Sequence, residues 1–184
     1  MVRREKAKTA ALVLTAVILL IYAVVPVASA SVLSSVALYD GCPFYAHLLY
    51  PFFHASLLHA LLNCWALLIL VFYYNIGIWK MLLAYLIAVT VPVRLLCCVI
   101  VAASTVGLSA VVFSLLGMAS WLVRRKLYYH CWIACFIAMG YLLPYLCSVC
   151  GYSVATPNNL LHIYCYVVGL MVGFLNSPAP WQRK

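Results

Sequence analysis

Acidic residues are nearly missing from this chain. Glu5 and Asp40 are its whole complement of Asp and Glu, against eleven Lys and Arg in 184 residues. Charge of either sign is scarce: 7% of residues are charged and 69% are hydrophobic, with a mean hydropathy of +1.15. A soluble domain of this length cannot cover its surface with so few charges. Linkers, low-complexity segments and internal repeats are also lacking, so the chain reads as one membrane domain with no soluble domain attached. The net charge of +9 does not point to nucleic acid, because of where the basic residues fall.

What the chain does have is long apolar runs. Six can be marked, at roughly 10–36, 57–73, 78–103, 109–123, 129–149 and 159–176, near the ~20 residues a helix needs to cross ~30 Å of hydrocarbon. Basic residues gather in Arg3–Lys8, at Lys80, in Arg124–Lys126 and in the tail "WQRK". With the N-terminus inside, six crossings put all of these clusters on the cytoplasmic side. Tyr73, Tyr74, Trp79, Trp121, Tyr128, Tyr129 and Trp181 fall at the same inner edges, as an interfacial belt does. The expected division is a cytoplasmic N-terminus over 1–9, a six-helix membrane domain over 10–176 and a cytoplasmic tail over 177–184. The run from Thr9 to Val27 exceeds the 7–15 residues of a signal-peptide core, so the first helix is read as uncleaved.

Three apolar runs carry polar groups that a lipid-facing helix would not need: "HASLLHALLN", "VGLSAVVFSLLG" and "NNLLHIYCYVVGLMVG". Ionisable groups inside a span are costly and mark functional sites. From His59 to Tyr73, Ser109 to Arg124 and His162 to Asn176 is about 14 or 15 residues in each case. At 1.5 Å per residue all three sites lie ~21–23 Å above the inner boundary. Matched depth on three helices points to one buried site opening outward.

The three sets have complementary chemistry. Ser109 follows Gly107 at a helix start, where backbone N–H groups are near. His162 can take the hydroxyl proton and return it to a leaving amine, provided the imidazole is neutral. His59 and Asn63 are four apart on one helix face and can donate hydrogen bonds to a developing oxyanion. No carboxylate lies within a span to orient His162, so the sequence permits a Ser–His dyad and not a Ser-His-Asp triad.

Each feature also has a plain structural reading. A membrane serine usually bonds a backbone carbonyl, and an intramembrane histidine can bridge two helices. His54 reads as a brace for the outer loop. Gly117, Gly169 and Gly173 read as packing residues, with Gly169-x-x-x-Gly173 spaced for close helix contact. Phe113 is ordinary core by default, though one turn beyond Ser109 it could stack on the His162 ring. Cys147 and Cys150 have redox or metal spacing but no matching second pair, and Cys42 could reach them. No metal or cofactor is expected.

In order, these motifs resemble the rhomboid intramembrane serine proteases. "HASLLHALLN" is similar to the H-x4-H-x3-N signature of their second helix, and "GLSAVVFSLLG" to the G-x-S signature of their fourth, with its aromatic one turn on. "HIYCYVVGLMVG" is similar to their sixth helix. Ala110, Leu161 and Cys165 depart from the residues common there, and "YDGCPFYAHLLYP" lacks the usual tryptophan–arginine pair. The resemblance implies an all-α, six-span bundle with a Ser109–His162 dyad, assisted by His59 and Asn63. It also implies transmembrane protein substrates, cut near their outer end. A helix shields its own peptide bonds, so segments rich in helix breakers and small residues are the expected cleavage sites. Expected surroundings are the lipid bilayer of a bacterial-type inner membrane, with both termini cytoplasmic. Two other readings stand beside this one: a catalytically silent relative that binds membrane clients, and a transporter relaying protons through His59 and His162. The latter lacks support from any inverted repeat.

Overall fold

The computed structural model describes residues 2–25, 30–97, 104–152 and 158–175. Among these the fold is all-α, and strand-like pairing is confined to one isolated antiparallel bridge, Leu38 with Thr105. The helices are α1 (Val2–Val24), α2 (Ala30–Val36), α3 (Phe44–Leu49), α4 (Leu57–Phe72) and α5 (Ile78–Val89). They continue with α6 (Val93–Cys97), α7 (Ser109–Ala119), α8 (Lys126–Val149) and α9 (Asn159–Leu175). A 3-10 turn, Tyr50–Phe52, follows α3.

Two apolar runs expected as single helices are divided. The first ends as a helix at Val24, two residues before Pro26. Proline lacks the N–H that would continue the ladder and disfavours helical backbone in the residue before it. The third is broken in the same way at Val91–Pro92: α5 is capped at Thr90, and α6 restarts at Val93. The remainder of that run, 98–103, lies outside the described residues. Hydropathy registers neither break, because both interrupted segments stay apolar.

By length and composition α1 and α8 are each able to cross a membrane. A third span results if Phe44–Phe52 and Leu57–Phe72, bent by 84°, are counted as one. The shorter apolar helices α5, α7 and α9 supply the middle of the bundle.

At its centre stands α7. Every residue from Ser109 to Ala119 except Leu116 is buried, which suits a helix apolar on all sides. It packs against α9, α5 and α4, while α1 lies on α4 and α5. The α7–α9 contact is the closest, and its glycines explain why. A Cβ on Gly117 would strike the backbone of Tyr166, Leu170 and Gly169, and one on Gly169 would strike the backbone of Ser114. Gly173 lies close to Met118 and Trp121, a Cβ there meeting the Trp121 side chain at 2.7 Å and the Met118 backbone at 2.9 Å. The Trp121 indole N–H, two residues past the end of α7, donates to the Leu170 carbonyl of α9 at 2.9 Å.

By contrast α8 is exposed along most of its length, with only Ile133 and Pro144 buried. Among the described residues, its side-chain hydrogen bonds to neighbouring helices come from its first five residues. Tyr129 donates to the Leu116 carbonyl at 2.8 Å, and His130 Nδ1 meets the Tyr166 hydroxyl at 2.6 Å. At the other end Cys147 and Cys150 are free thiols, as is Cys42.

Candidate active site

The serine is delivered by a short segment held from several directions. Gly107 takes φ +123°, a conformation that L side chains rarely adopt. Its N–H donates to the Tyr50 carbonyl at 2.9 Å, while the buried Tyr50 hydroxyl donates to Ala88 at 2.9 Å. The next amide, Leu108 N–H, donates to His54 Nε2 at 3.2 Å. Ser109 then opens α7. The expected brace role of His54 thus falls on the serine segment itself, through an imidazole only 1% exposed.

The His162 ring arrives from α9. Its Nε2 lies 2.9 Å from Ser109 Oγ, and both residues are buried. On one side the imidazole stacks on Phe113, with ring centroids 4.3 Å apart and planes within 11°. A neutral hydrogen bond and a ring stack each contribute only about 1 kcal/mol. Their joint effect is directional: one fixes the plane of the imidazole and the other aims one nitrogen at the hydroxyl. Neither carboxylate of the chain adjoins this ring, since Glu5 pairs with Lys8 at 3.1 Å and Asp40 is exposed in the α2–α3 loop.

His59 and Asn63 come from α4. A Cβ on Gly107 would come within 2.6 Å of His59 Cε1 and 3.6 Å of Asn63 Nδ2, so both side chains pack against the turn that leads into the serine. Ser56 caps α4, its hydroxyl accepting the His59 N–H at 3.2 Å, and the His54 and His59 rings meet edge-on at 5.0 Å. Asn63 Nδ2 is buried without a hydrogen-bond partner among the described residues. A buried donor left unpaired costs about 1–3 kcal/mol, so Asn63 Nδ2 calls for a partner, as do the other buried unpaired atoms, Thr15 Oγ1, His54 Nδ1 and Asn159 Nδ2.

The first amides of α7 add to this donor set. No acceptor within the helix serves Ser109, Ala110 or Val111, because the helical ladder begins with Val112 N–H bonding Leu108 C=O. The positive end of the helix dipole therefore points where a negative oxygen would be stabilised. Ser109, His162 and these N–H donors all come together around Gly107–Ser109.

The rhomboid-domain family model matches residues 41–179. The chain belongs to the rhomboid family. No curated protein and no solved structure matches it. Rhomboids are integral membrane proteins and are generally intramembrane serine proteases that act on transmembrane substrates. In this rhomboid, Tyr50, Thr105 and Asn158 also hold the site together, and periodicity gave no sign of them. Asn158 alone left a signal, as a cap-type residue just before an apolar run.

Gly107 offers an early check. Alanine there is expected to lower thermal stability by about 1–3 kcal/mol, from backbone strain and the contact with His59. It should also lower turnover, through a displaced Ser109. Melting and turnover of purified Gly107→Ala, both at wild-type values, would show that the turn tolerates a side chain.

Proposed function

We propose that this rhomboid is an intramembrane serine endopeptidase using a Ser109–His162 dyad. The observation that carries this reading is the 2.9 Å contact between His162 Nε2 and Ser109 Oγ, made by a ring already stacked on Phe113. Ser109 Oγ attacks the scissile carbonyl carbon while His162 Nε2 removes its proton. The carbonyl oxygen becomes an oxyanion that accepts hydrogen bonds from His59, from Asn63 Nδ2 and from amides at the start of α7. Collapse expels the amine, which takes its proton from His162 and leaves an acyl-enzyme at Ser109. Water, deprotonated by His162, then releases the acid and restores the serine.

In this reading the six longest helices among the described residues, α1, α4, α5, α7, α8 and α9, are the crossings, and both termini are cytoplasmic in a bacterial-type inner membrane. Residues 1–9 and 177–184 flank the membrane domain. Substrates are single-span proteins cut near their outer end, where helix breakers let the backbone open. The test is incubation of purified protein with tagged single-span substrates beside Ser109→Ala. Cleavage by wild type alone supports the proposal. Client binding without cleavage would instead identify a silent relative.

The donor assignment has its own test. Asn63→Ala is expected to lower kcat by roughly 10²-fold, the lower range for loss of one oxyanion donor, because the α7 amides remain. KM should change little. If KM rises and kcat holds, Asn63 binds substrate in its ground state and is not an oxyanion donor.

A further inference from the structure

Asn158 precedes α9 and uses both ends of its amide. Its backbone carbonyl accepts from His162 N–H at 3.2 Å, and its Oδ1 accepts from Leu161 N–H at 3.1 Å. It therefore caps the helix turn that carries the base. Its Nδ2 donates to Thr105 Oγ1 at 3.0 Å. Thr105 is itself fixed, exchanging both backbone hydrogen bonds with Leu38 at 2.8 and 2.9 Å. Thr105 lies four residues before Ser109, and Asn158 four residues before His162. One short side chain thus joins the serine-bearing segment to the histidine-bearing helix on the outer side of the dyad. On the other side the same two elements are held by the Gly117–Gly169 contact.

We propose that Asn158 is a positioning residue that sets the Ser109–His162 distance through Thr105, a role that rests on the protease reading above. Glycine packing fixes how closely α7 and α9 approach below the dyad, but it leaves the upper end of α9 free to splay. The Asn158–Thr105 bond closes that end. Groups held at both ends keep reacting geometry, and a misplacement of ~1 Å can cost ~10²-fold in rate.

The cap and the cross-link can be separated by mutation. Asn158→Ser retains a helix-capping oxygen but is too short to reach Thr105, and Thr105→Val removes only the hydroxyl. Asn158→Asp keeps the cap and can accept a hydrogen bond from the Thr105 hydroxyl. Fluorophosphonate labelling rates, together with kcat and KM for a single-span substrate, are measured for wild type, each variant and the Asn158→Ser/Thr105→Val double. Both single variants are expected to lose roughly 10–100-fold in labelling rate and kcat, with KM and melting temperature near wild type. The double should lose less than the product of the two single losses, because the Asn158–Thr105 bond is lost only once, and Asn158→Asp should recover most activity. Wild-type kcat in Thr105→Val would overturn the proposal, even if Asn158→Ser misfolds. So would losses that add in the double, or that follow melting temperature. A wild-type protein that neither labels nor cleaves would overturn the protease reading and the positioning role with it.

Discussion

Ser109→Ala is expected to abolish cleavage while the protein still inserts and folds, and His162→Ala to do the same. Loss of nucleophile or base in a serine hydrolase costs on the order of 10⁶ in kcat, so neither variant should exceed background. The two act as a unit, and the double variant should therefore be no slower than either single. Folding should survive in Ser109→Ala because the hydroxyl is one atom in a helix otherwise buried by apolar packing, and His162 keeps its stack on Phe113. Turnover with a tagged single-span substrate checks this, alongside melting temperature. Substantial cleavage by Ser109→Ala would remove the serine from the mechanism. Cleavage by His162→Ala alone would mean that another group serves as base.

The second large effect is expected at Gly169, which touches no reacting group. A Cβ there would meet the carbonyl oxygen, carbonyl carbon and Cα of Ser114. These are backbone atoms, and they cannot rotate aside as a side chain could. Relief requires α7 and α9 to move apart. Ser114 lies five residues after Ser109, and Gly169 seven after His162, so separation here carries the hydroxyl away from the imidazole. Gly169→Val is expected to lose ~10²-fold or more in turnover, at the scale of a ~1 Å displacement, and to melt at lower temperature. Gly169→Ala shares the same Cβ and should lose substantial activity too, though less than valine with its branched side chain. Wild-type turnover and melting in Gly169→Val would show that the helices adjust elsewhere without disturbing the dyad.

Much of this arrangement can be read from sequence because helices have a fixed rise. Counting residues from basic, aromatic inner edges placed Ser109, His162 and His59 at one depth, and the structure gathers them around Gly107. The stacking of Phe113 on His162 follows from the same geometry, as do the facing positions of Gly117 and Gly169. Helix breaks were harder to see, since Pro26 and Pro92 stand in apolar surroundings that hydropathy averages over. Loop contacts left even less trace. Tyr50 reaches Ala88 with its hydroxyl and Gly107 with its carbonyl, a meeting of distant segments that no period or spacing encodes. The bond between Asn158 and Thr105 joins residues 53 apart in the chain, and no motif linked them.

The dyad is tested most directly by mapping where a fluorophosphonate attaches. Wild-type protein shown to cleave a single-span substrate is labelled, digested and sequenced by mass spectrometry, in parallel with His162→Ala. The expected result is one adduct, on Ser109, formed with the loss of cleavage and greatly slowed in His162→Ala. An actively cleaving wild type that carries its adduct on another residue, or whose Ser109 labels equally fast without His162, would contradict the Ser109–His162 dyad.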